Sequence, residues 1–137
     1  MIDIGFAQEN DLEDILTIDN WLDHEKATTK IRLQEIIIMR QAHQIIGMLR
    51  FSYFWDQIPF INLLWIEPSM RNQRCGTQML TWFEEHMKHE NHRNIMTSSL
   101  ASESGQHFFR KQGFEDCGSL LIEKEGTEIV FKKTIKA

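Results

Sequence analysis

The segment from residue 60 to residue 66 contains almost only apolar side chains and reads FINLLWI. A strand without a polar face is expected where both faces of a sheet are covered, because every side chain is then buried. Glu67 and Pro68 follow at once, and a proline there ends the ladder of hydrogen bonds. The segment therefore predicts a central strand in a layered protein, with other elements packed on both sides of the sheet.

Hydrophobic patterns predict further strands around this one. Leu49, Phe51, Tyr53 and Trp55 alternate with their neighbours in IIGMLRFSYFW, which predicts a strand with one strongly buried face. Short apolar runs bounded by polar clusters predict the remaining strands at IDIGFA, IIIMR, NIMTSSL, GSLLIEK and EIVFKK, the last two joined around EKEGTE.

Helical spacing of apolar residues predicts four helices. The first runs from Asp11, as its N-cap, to Leu22, and a weaker second one covers about 27–35 after the interruption DHEKATTK. The fourth, SESGQHFFRKQ, ends at Gly113, which adopts a left-handed conformation at little cost. The third carries an apolar stripe of Met79, Leu80, Phe83 and Met87. The resulting order is β-α-α-β-β-β-α-β-α-β-β, a mixed α/β or α+β sheet covered by helices, expected as one domain over residues 1–137.

Charge and cysteine content restrict the partners and the compartment. The formal net charge is -5 and no block of Lys and Arg occurs, which argues against nucleic acid or an anionic membrane as the main partner. Two scattered cysteines, Cys75 and Cys117, favour a reducing compartment over a disulfide framework. The first residues lack a basic region followed by an apolar one, so we expect a soluble, cytoplasmic protein.

Residues 71–88 pass from a polar loop directly into the third predicted helix and read RNQRCGTQMLTWFEEHMK. The first N–H groups of a helix have no partner within it and attract anions. Gly76 lies at this point and allows the backbone to approach an anion closely.

Two stretches together carry a family resemblance: LLWIEPSMRNQRCGTQML and, farther on, SESGQHFFRKQGFEDCG. The first stretch is similar to a family motif in which a strand and a turn lead into Arg/Gln-x-x-Gly-x-Gly/Ala at the start of a helix. The second is similar to a helix with a Phe/Leu-Tyr pair that runs into Lys-x-Gly-Phe, here Phe108, Phe109, Lys111, Gly113 and Phe114. The chain thus resembles the GNAT superfamily of acetyl-CoA-dependent N-acetyltransferases. The resemblance implies a central, mostly antiparallel sheet of six or seven strands with about four helices.

The resemblance implies acetyl-CoA as cosubstrate. Backbone N–H groups from Gln73 to Thr77 would cradle the pyrophosphate. Arg74 stands where the family usually has its first glycine, and its side chain either points away from the phosphates or reaches one of them. The implied cofactor-binding residues are Leu64, Trp65, Ile66, Arg71, Asn72, Gln73, Arg74, Cys75, Gly76, Thr77, Ser102 and Phe109.

Transfer to an amine requires that the amine lose a proton, because an alkylamine with a pKa of about 10.4 is mostly charged at neutral pH. Glu67 follows the central strand and is the candidate base, directly or through water. Phe109 occupies the position of the family's proton-donating tyrosine. Tyr53, Ser102 or water would then protonate the thiolate, or the thiolate would leave unassisted, or the protein would bind acetyl-CoA with little activity.

The family's acceptor site is lined by the first two helices and the segment between them, where Asp19, Trp21, Asp23, His24 and Glu25 favour a cationic amine. His86, His89 and His92 recur every third residue, a spacing that drifts around a helix by about 60° per step and predicts no metal site.

The resemblance thus predicts an enzyme that moves acetyl to a primary amine of a small molecule or peptide by direct attack. The alternative is a catalytically weak module that binds acetyl-CoA or a protein partner. Homodimerisation is common in the family, and the Met- and Trp-rich composition permits it.

Overall fold

The structure, a computed structural model, describes residues 1–122 and 126–136. Within these residues the strands are β1 (Ile2–Phe6), β2 (Ile36–Gln41), β3 (Gln44–Phe54), β4 (Ile58–Ile66), β5 (Asn94–Leu100), β6 (Glu115–Leu120) and β7 (Glu128–Thr134). The helices are α1 (Leu12–Ile18), α2 (His24–Arg32), α3 (Cys75–His89) and α4 (Gly105–Lys111). Single turns of 3-10 helix lie at Glu9–Asp11 and Pro68–Met70.

The strands form a mixed sheet in the order β1-β2-β3-β4-β5-β7-β6. Strands β1 and β2, β2 and β3, β5 and β7, and β6 and β7 pair antiparallel, whereas β4 and β5 pair parallel. The parallel register joins Phe60 to Met96 and Ile61 to Thr97, while β4 itself continues to Ile66. The predicted fold class and element order are confirmed.

The chain divides into two compact units. The first comprises Met1–Phe51 and Leu63–Trp82, and the second comprises Ser52–Asn62 and Phe83–Ala137. Strands β3 and β4 and helix α3 contribute residues to both units. The single domain over residues 1–137 stays a prediction.

Helices cover the sheet of the first unit on both faces. On one face α1 and α2 pack on β2 and β3 through buried Ala7, Ile15, Ala27, Ile31, Ile36, Ile38, Ile45 and Met48. Half-buried Leu63 and Trp65 of β4 join this cluster. On the other face the start of α3 packs close, because the Met79 methyl group lies 3.3 Å from the position of a Cβ on Gly47.

An aromatic cluster and a helix end organise the second unit. The Phe109 ring lies 5.4 Å from that of Phe114 and 6.2 Å from that of Phe131. At the end of α4, the Phe114 N–H donates to the Phe109 carbonyl and the Gly113 N–H donates to the Arg110 carbonyl. Gly113 has a φ of 94°, as expected of the glycine in this helix-ending motif, and the prediction for Gly113 is confirmed.

The burial of β3 differs from the prediction of one buried face. Met48 and Arg50, on the predicted exposed face, are buried because helices cover both faces of the first unit. Tyr53 and Trp55 are 37% and 75% exposed instead of buried. The chain turns at Trp55 and Asp56, both with positive φ, so the strand ends before the last predicted core residue.

The first two helices also differ from their predicted bounds. Helix α1 ends at Ile18 rather than Leu22, and Asp11 makes no side-chain capping bond to it. The Asp11 carboxylate instead accepts a hydrogen bond from the Gln8 N–H and pairs with Arg40. Helix α2 begins at His24 and not near residue 27, because the Asp23 carboxylate caps it by accepting from the Lys26 N–H at 2.8 Å.

The last strand pair is confirmed with shifted bounds. Strand β6 begins at Glu115, three residues before the predicted segment, and ends at Leu120. The predicted turn EKEGTE and the end of GSLLIEK fall largely on residues 123–125, which lie outside the described residues.

The end of α4 gives a prediction for stability. Gly113→Ala forces a side chain into the left-handed conformation and brings its Cβ to 3.3 Å from Cε of Lys133. We expect the free energy of unfolding to fall by about 1–2 kcal/mol, measured by urea denaturation. Gly118→Ala is the matched control, because a Cβ there meets nothing within 4 Å and φ is not positive. An equal loss in both variants would contradict this reading of Gly113.

Candidate active site

The end of β4 is fixed to its neighbours in the first unit. The Glu67 N–H donates to the Ile46 carbonyl at 2.8 Å. Cδ1 of Ile66 lies 3.0 Å from the position that a Cβ on Gly47 would occupy, so the absence of a side chain there lets β4 approach. The last residues of β4 and the first residue after it are therefore held in place on two sides.

The Glu67 carboxylate caps the turn Pro68–Met70. Its Oε2 accepts from the Ser69 N–H at 2.9 Å and from the Ser69 hydroxyl. These bonds orient the carboxylate and do not use Oε1, which is left to accept another donor. Sequence reasoning missed Ser69, although a proline at the first position of a helical turn behind an acidic residue signals such a cap.

The side chains of the loop after β4 bind the loop itself. Nε of Arg71 donates to the Ile66 carbonyl at 3.0 Å, and Nε2 of Gln73 donates to the Ser69 carbonyl at 3.2 Å. Arg71 was predicted as a cofactor-binding residue, and the structure gives its Nε a role in shaping the loop.

The backbone of the loop forms a concave group of donors at the start of α3. Arg74 has a φ of 63° and precedes the right-handed helical residue Cys75, an arrangement that turns successive N–H groups toward one point. Among the described residues no oxygen accepts from the N–H groups of Arg74, Cys75 and Gly76. We call these three groups the N–H nest. Its donors fit a phosphate oxygen, because they add to the positive end of the helix dipole.

Arg74 is strained in this position. A left-handed conformation costs a residue with a side chain roughly 1–2 kcal/mol, whereas glycine adopts it freely. Its carbonyl accepts the first bond of α3, from the Gln78 N–H at 3.0 Å. The structure thus requires at residue 74 a conformation that glycine adopts without strain, and the sequence supplies an arginine.

Both acidic residues between α1 and α2 have structural roles. Asp19 is 2% exposed, and its Oδ2 accepts from Nε of Arg50 at 2.6 Å while its Oδ1 accepts from the Trp21 N–H at 3.0 Å. The charge of Asp19 is therefore compensated inside the protein, which corrects its expected contribution to a field for a cationic amine. Asp23 is exposed but its Oδ1 caps α2.

The other predicted acceptor residues are exposed. The Trp21 side chain is 83% exposed, and His24 and Glu25 lie exposed in the first turn of α2. Together with Asp23 they line one solvent-facing segment of the first unit.

The predicted residues of the second unit have different surroundings. Tyr53 lies near the hairpin turn of β3, and its ring is 5.8 Å from that of His92, whose pKa is lowered by burial. Ser102 is exposed in the turn before α4. Phe109 is only 7% exposed and packs in the aromatic cluster.

Across residues 1–122 and 126–136, no group of three or more His, Cys, Asp and Glu side chains is arranged to hold a metal ion. None of the helices described for this chain has the length and apolar character needed to cross a membrane.

The family follows from residues 32–116, which match the family model described as "Acetyltransferase (GNAT) domain". The match covers more than half of the chain and includes the end of β4, the N–H nest and α4. The chain belongs to the GNAT family of acetyltransferases. No protein of curated function is significantly similar to it in sequence.

Solved structures agree with the fold over the whole chain. An acetyltransferase of the GNAT family from Bacillus cereus is 25% identical with a TM-score of 0.80, covering 100% of this chain and 99% of that one. An N-acetyltransferase from Staphylococcus aureus is 19% identical with a TM-score of 0.82, covering 99% of each chain. The ribosomal-protein-S18-alanine N-acetyltransferase from Escherichia coli is 12% identical with a TM-score of 0.82, covering 100% of this chain and 96% of that one.

The strain at Arg74 gives a second prediction for stability. We expect Arg74→Gly to raise the free energy of unfolding by about 1 kcal/mol without any ligand, because glycine relieves the left-handed strain. Asn72→Gly is the matched control, since Asn72 also has a positive φ, of 64°, but asparagine tolerates it better. Urea denaturation measures both, and an Arg74→Gly variant no more stable than Asn72→Gly would refute the strain.

Proposed function

We propose that this protein transfers the acetyl group of acetyl-CoA to a primary amine by direct attack. The observation that carries the proposal is the N–H nest at the start of α3, which follows a β4 end anchored to Ile46 in a chain of the GNAT family. The amine nitrogen bonds to the carbonyl carbon of the thioester as the carbon–sulfur bond breaks. The products are an acetamide and CoA, and no covalent intermediate on the protein is required.

The N–H nest, with the N–H groups of Gln73 and Thr77 on either side, binds the pyrophosphate of acetyl-CoA. Backbone groups of Leu64 and Trp65 hold the pantetheine arm and polarise the thioester carbonyl. Ile66 takes part in the same way, and its carbonyl also accepts a hydrogen bond from Nε of Arg71. Ser102 and Phe109 remain proposed cofactor contacts of the second unit.

Glu67 acts as the base. The two bonds from Ser69 fix Oε2 and leave Oε1 to take a proton from the amine, directly or through water. The departing thiolate then takes a proton from Tyr53, Ser102 or water. A thiol with a pKa of about 8.5 is also a tolerable leaving group without such help.

The acceptor amine binds to the exposed segment of Trp21, Asp23, His24 and Glu25. Asp23 and Glu25 supply the negative charge there, since Asp19 is neutralised by Arg50. Such a site suits a primary amine of a small molecule or peptide. A cytoplasmic location and a homodimer remain predictions that rest on composition and on the family.

A second candidate function rests on Phe109. The ring has no proton to give and packs against Phe114 and Phe131, so the position used for proton donation in the family serves the core here. This observation favours a catalytically weak module that binds acetyl-CoA.

The test of the function has two stages. The unfolding temperature is measured with acetyl-CoA, with CoA and with buffer, since a ligand at 100 times its Kd adds about 2.7 kcal/mol of stability. Release of CoA thiol is then followed with polyamines, amino acids, aralkylamines, aminoglycosides and peptides. Faster release with an amine than without one establishes the enzyme. A thermal shift without turnover favours the binding module, and no shift at millimolar cofactor excludes both.

Glu67→Gln tests the base. We expect a rate of CoA release at least about tenfold lower at neutral pH, approaching the unmutated rate at high pH, where the amine is already neutral. Affinity for acetyl-CoA stays the same, because a glutamine oxygen still accepts from the Ser69 N–H and preserves the loop. Glu85→Gln, on an exposed side chain of α3, is the control. Equal rates for Glu67→Gln and the unmutated protein across the pH range would remove Glu67 from the mechanism.

A further inference from the structure

Strand β3 holds the candidate base Glu67 at an irregular point of its pairing with β2. The register passes from Gly47 directly to Ile45, so Ile46 is an extra residue on β3. An extra residue of this kind is released from the regular ladder, and its backbone groups are redirected. The Ile46 carbonyl accepts from the Glu67 N–H at 2.8 Å, and this bond ties the start of the loop before α3 to β3.

Arg50, four residues farther along β3, points to the helices on the other side of the chain's first unit. It lies opposite Ile36 in the ladder and two residues after Met48, and both residues belong to the apolar cluster under α1 and α2. Residues opposite each other in a ladder, and residues two apart in a strand, share a face. The Arg50 side chain therefore lies under α1 and α2, where its Nε donates to Oδ2 of Asp19 at 2.6 Å.

Asp19 connects β3 with the end of α1 and with the residues that follow. Its N–H donates to the Ile15 carbonyl at 2.8 Å, and its Oδ1 accepts from the Trp21 N–H at 3.0 Å. Trp21 begins the exposed residues 21–25, to which the amine is proposed to bind, and we call them the acceptor segment. The Asp19 carboxylate thus joins the first residue of the acceptor segment to Arg50 of β3.

A second contact fixes helix α2 to the same part of β3. Nζ of Lys30 donates to the Phe51 carbonyl at 2.7 Å and to Oε1 of Glu35 at 2.7 Å. Phe51 follows Arg50 directly in β3. Two neighbouring residues of one strand therefore hold the connection before α2 and α2 itself.

The pair of Asp19 and Arg50 is buried, with 2% and 9% of the residues exposed. Removing two charges from water costs energy that offsets most of their attraction, so apolar side chains of similar volume would stabilise the fold about as well. Charged hydrogen bonds add a fixed direction, which apolar contacts do not. The pair therefore contributes the placement of the acceptor segment more than it contributes stability.

We propose that Asp19 and Arg50 are positioning residues for acetyl transfer, because they hold the acceptor segment to the strand that also holds Glu67. The two anchors on β3, Ile46 and Arg50, lie roughly 13 Å apart along the strand, at about 3.3 Å per residue. A displacement of about 1 Å between reacting groups can lower a rate about 100-fold, so one common support for amine and base matters. This inference rests on the proposed acetyl transfer and on its acceptor segment.

The double variant Asp19→Asn/Arg50→Met tests the pair and leaves no lone buried charge. The asparagine still accepts from the Trp21 N–H, whereas the bond to β3 is lost. Backbone amide exchange in residues 21–25, followed by mass spectrometry without any ligand, is expected to become at least about fivefold faster. Circular dichroism and urea denaturation show whether the variant is folded.

Kinetics of the same variant separate positioning from a general loss of structure. For the amine that most speeds release of CoA in the screen described above, we expect kcat/KM to fall about tenfold or more, mainly through KM. The Kd of acetyl-CoA stays the same, because the N–H nest is not changed. Arg50→Lys keeps the charge but not the planar fork of donors, so its values lie between those of the double variant and the unmutated protein.

Asp11→Asn/Arg40→Met is the matched control. It removes an ion pair of the same kind in the same unit, but this pair joins the turn Glu9–Asp11 to β2. The control is expected to leave amide exchange in residues 21–25 and the KM of the amine unchanged.

Three results would each overturn the inference: unchanged exchange in residues 21–25 of Asp19→Asn/Arg50→Met, an unchanged KM of the amine in that variant, or equal changes in the control. The failure of acetyl transfer itself looks different. In that case no amine speeds release of CoA from the unmutated protein, whereas amide exchange needs no substrate and still shows whether Arg50 holds the acceptor segment.

Discussion

The hydrogen bond from the Glu67 N–H to the Ile46 carbonyl is the contact from which the candidate cofactor loop is built. It fixes the point where β4 ends and therefore the point where the loop before α3 begins. Ser69 binds the Glu67 carboxylate, Gln73 binds the Ser69 carbonyl and Arg71 binds the Ile66 carbonyl. These three side-chain contacts hold the loop to itself, and the N–H nest is left to face a ligand.

Because side chains hold the loop and backbone groups face the ligand, an arginine can occupy residue 74, where the family usually has a glycine. The loop is closed by short bonds on its N-terminal side and by α3 on its C-terminal side, so the conformation at Arg74 is imposed by its neighbours. The strain is borne locally, and the direction of the N–H groups does not depend on which side chain residue 74 carries. A sequence motif written with glycines specifies a backbone conformation. Other residues adopt the same conformation at a cost in conformational energy.

Elements with strong periodicity could be predicted from the sequence. The stripe Met79, Leu80, Phe83 and Met87 is buried, and the order of strands and helices is as the patterns indicate. The helix end at Gly113 was predictable for the same reason, since one residue type fits one backbone conformation. Within the candidate site, the sequence located the loop before α3 and the acidic residue after β4.

Long-range pairing could not be predicted. Asp19 looked like one of several exposed acids, and only the fold brings it to Arg50, 31 residues away in sequence. The same holds for Ser98 and Glu128, which meet because β5 and β7 are neighbours although β6 precedes β7 in the chain. The burial of β3 failed as a prediction because alternation shows which residues share a face and not how many faces are covered.

Gly47 links the packing of the first unit to the candidate site, because it lies against the elements on both sides of the loop. Any side chain at residue 47 would press on Ile66 in β4 and on Met79 in α3 together. These two elements carry the two ends of the loop that holds the N–H nest. A substitution at Gly47, in the middle of a strand and away from any ligand, would thus change the distance between the two ends of this loop. The range of residues tolerated at residue 47 therefore indicates how rigidly the loop that holds the N–H nest must be fixed.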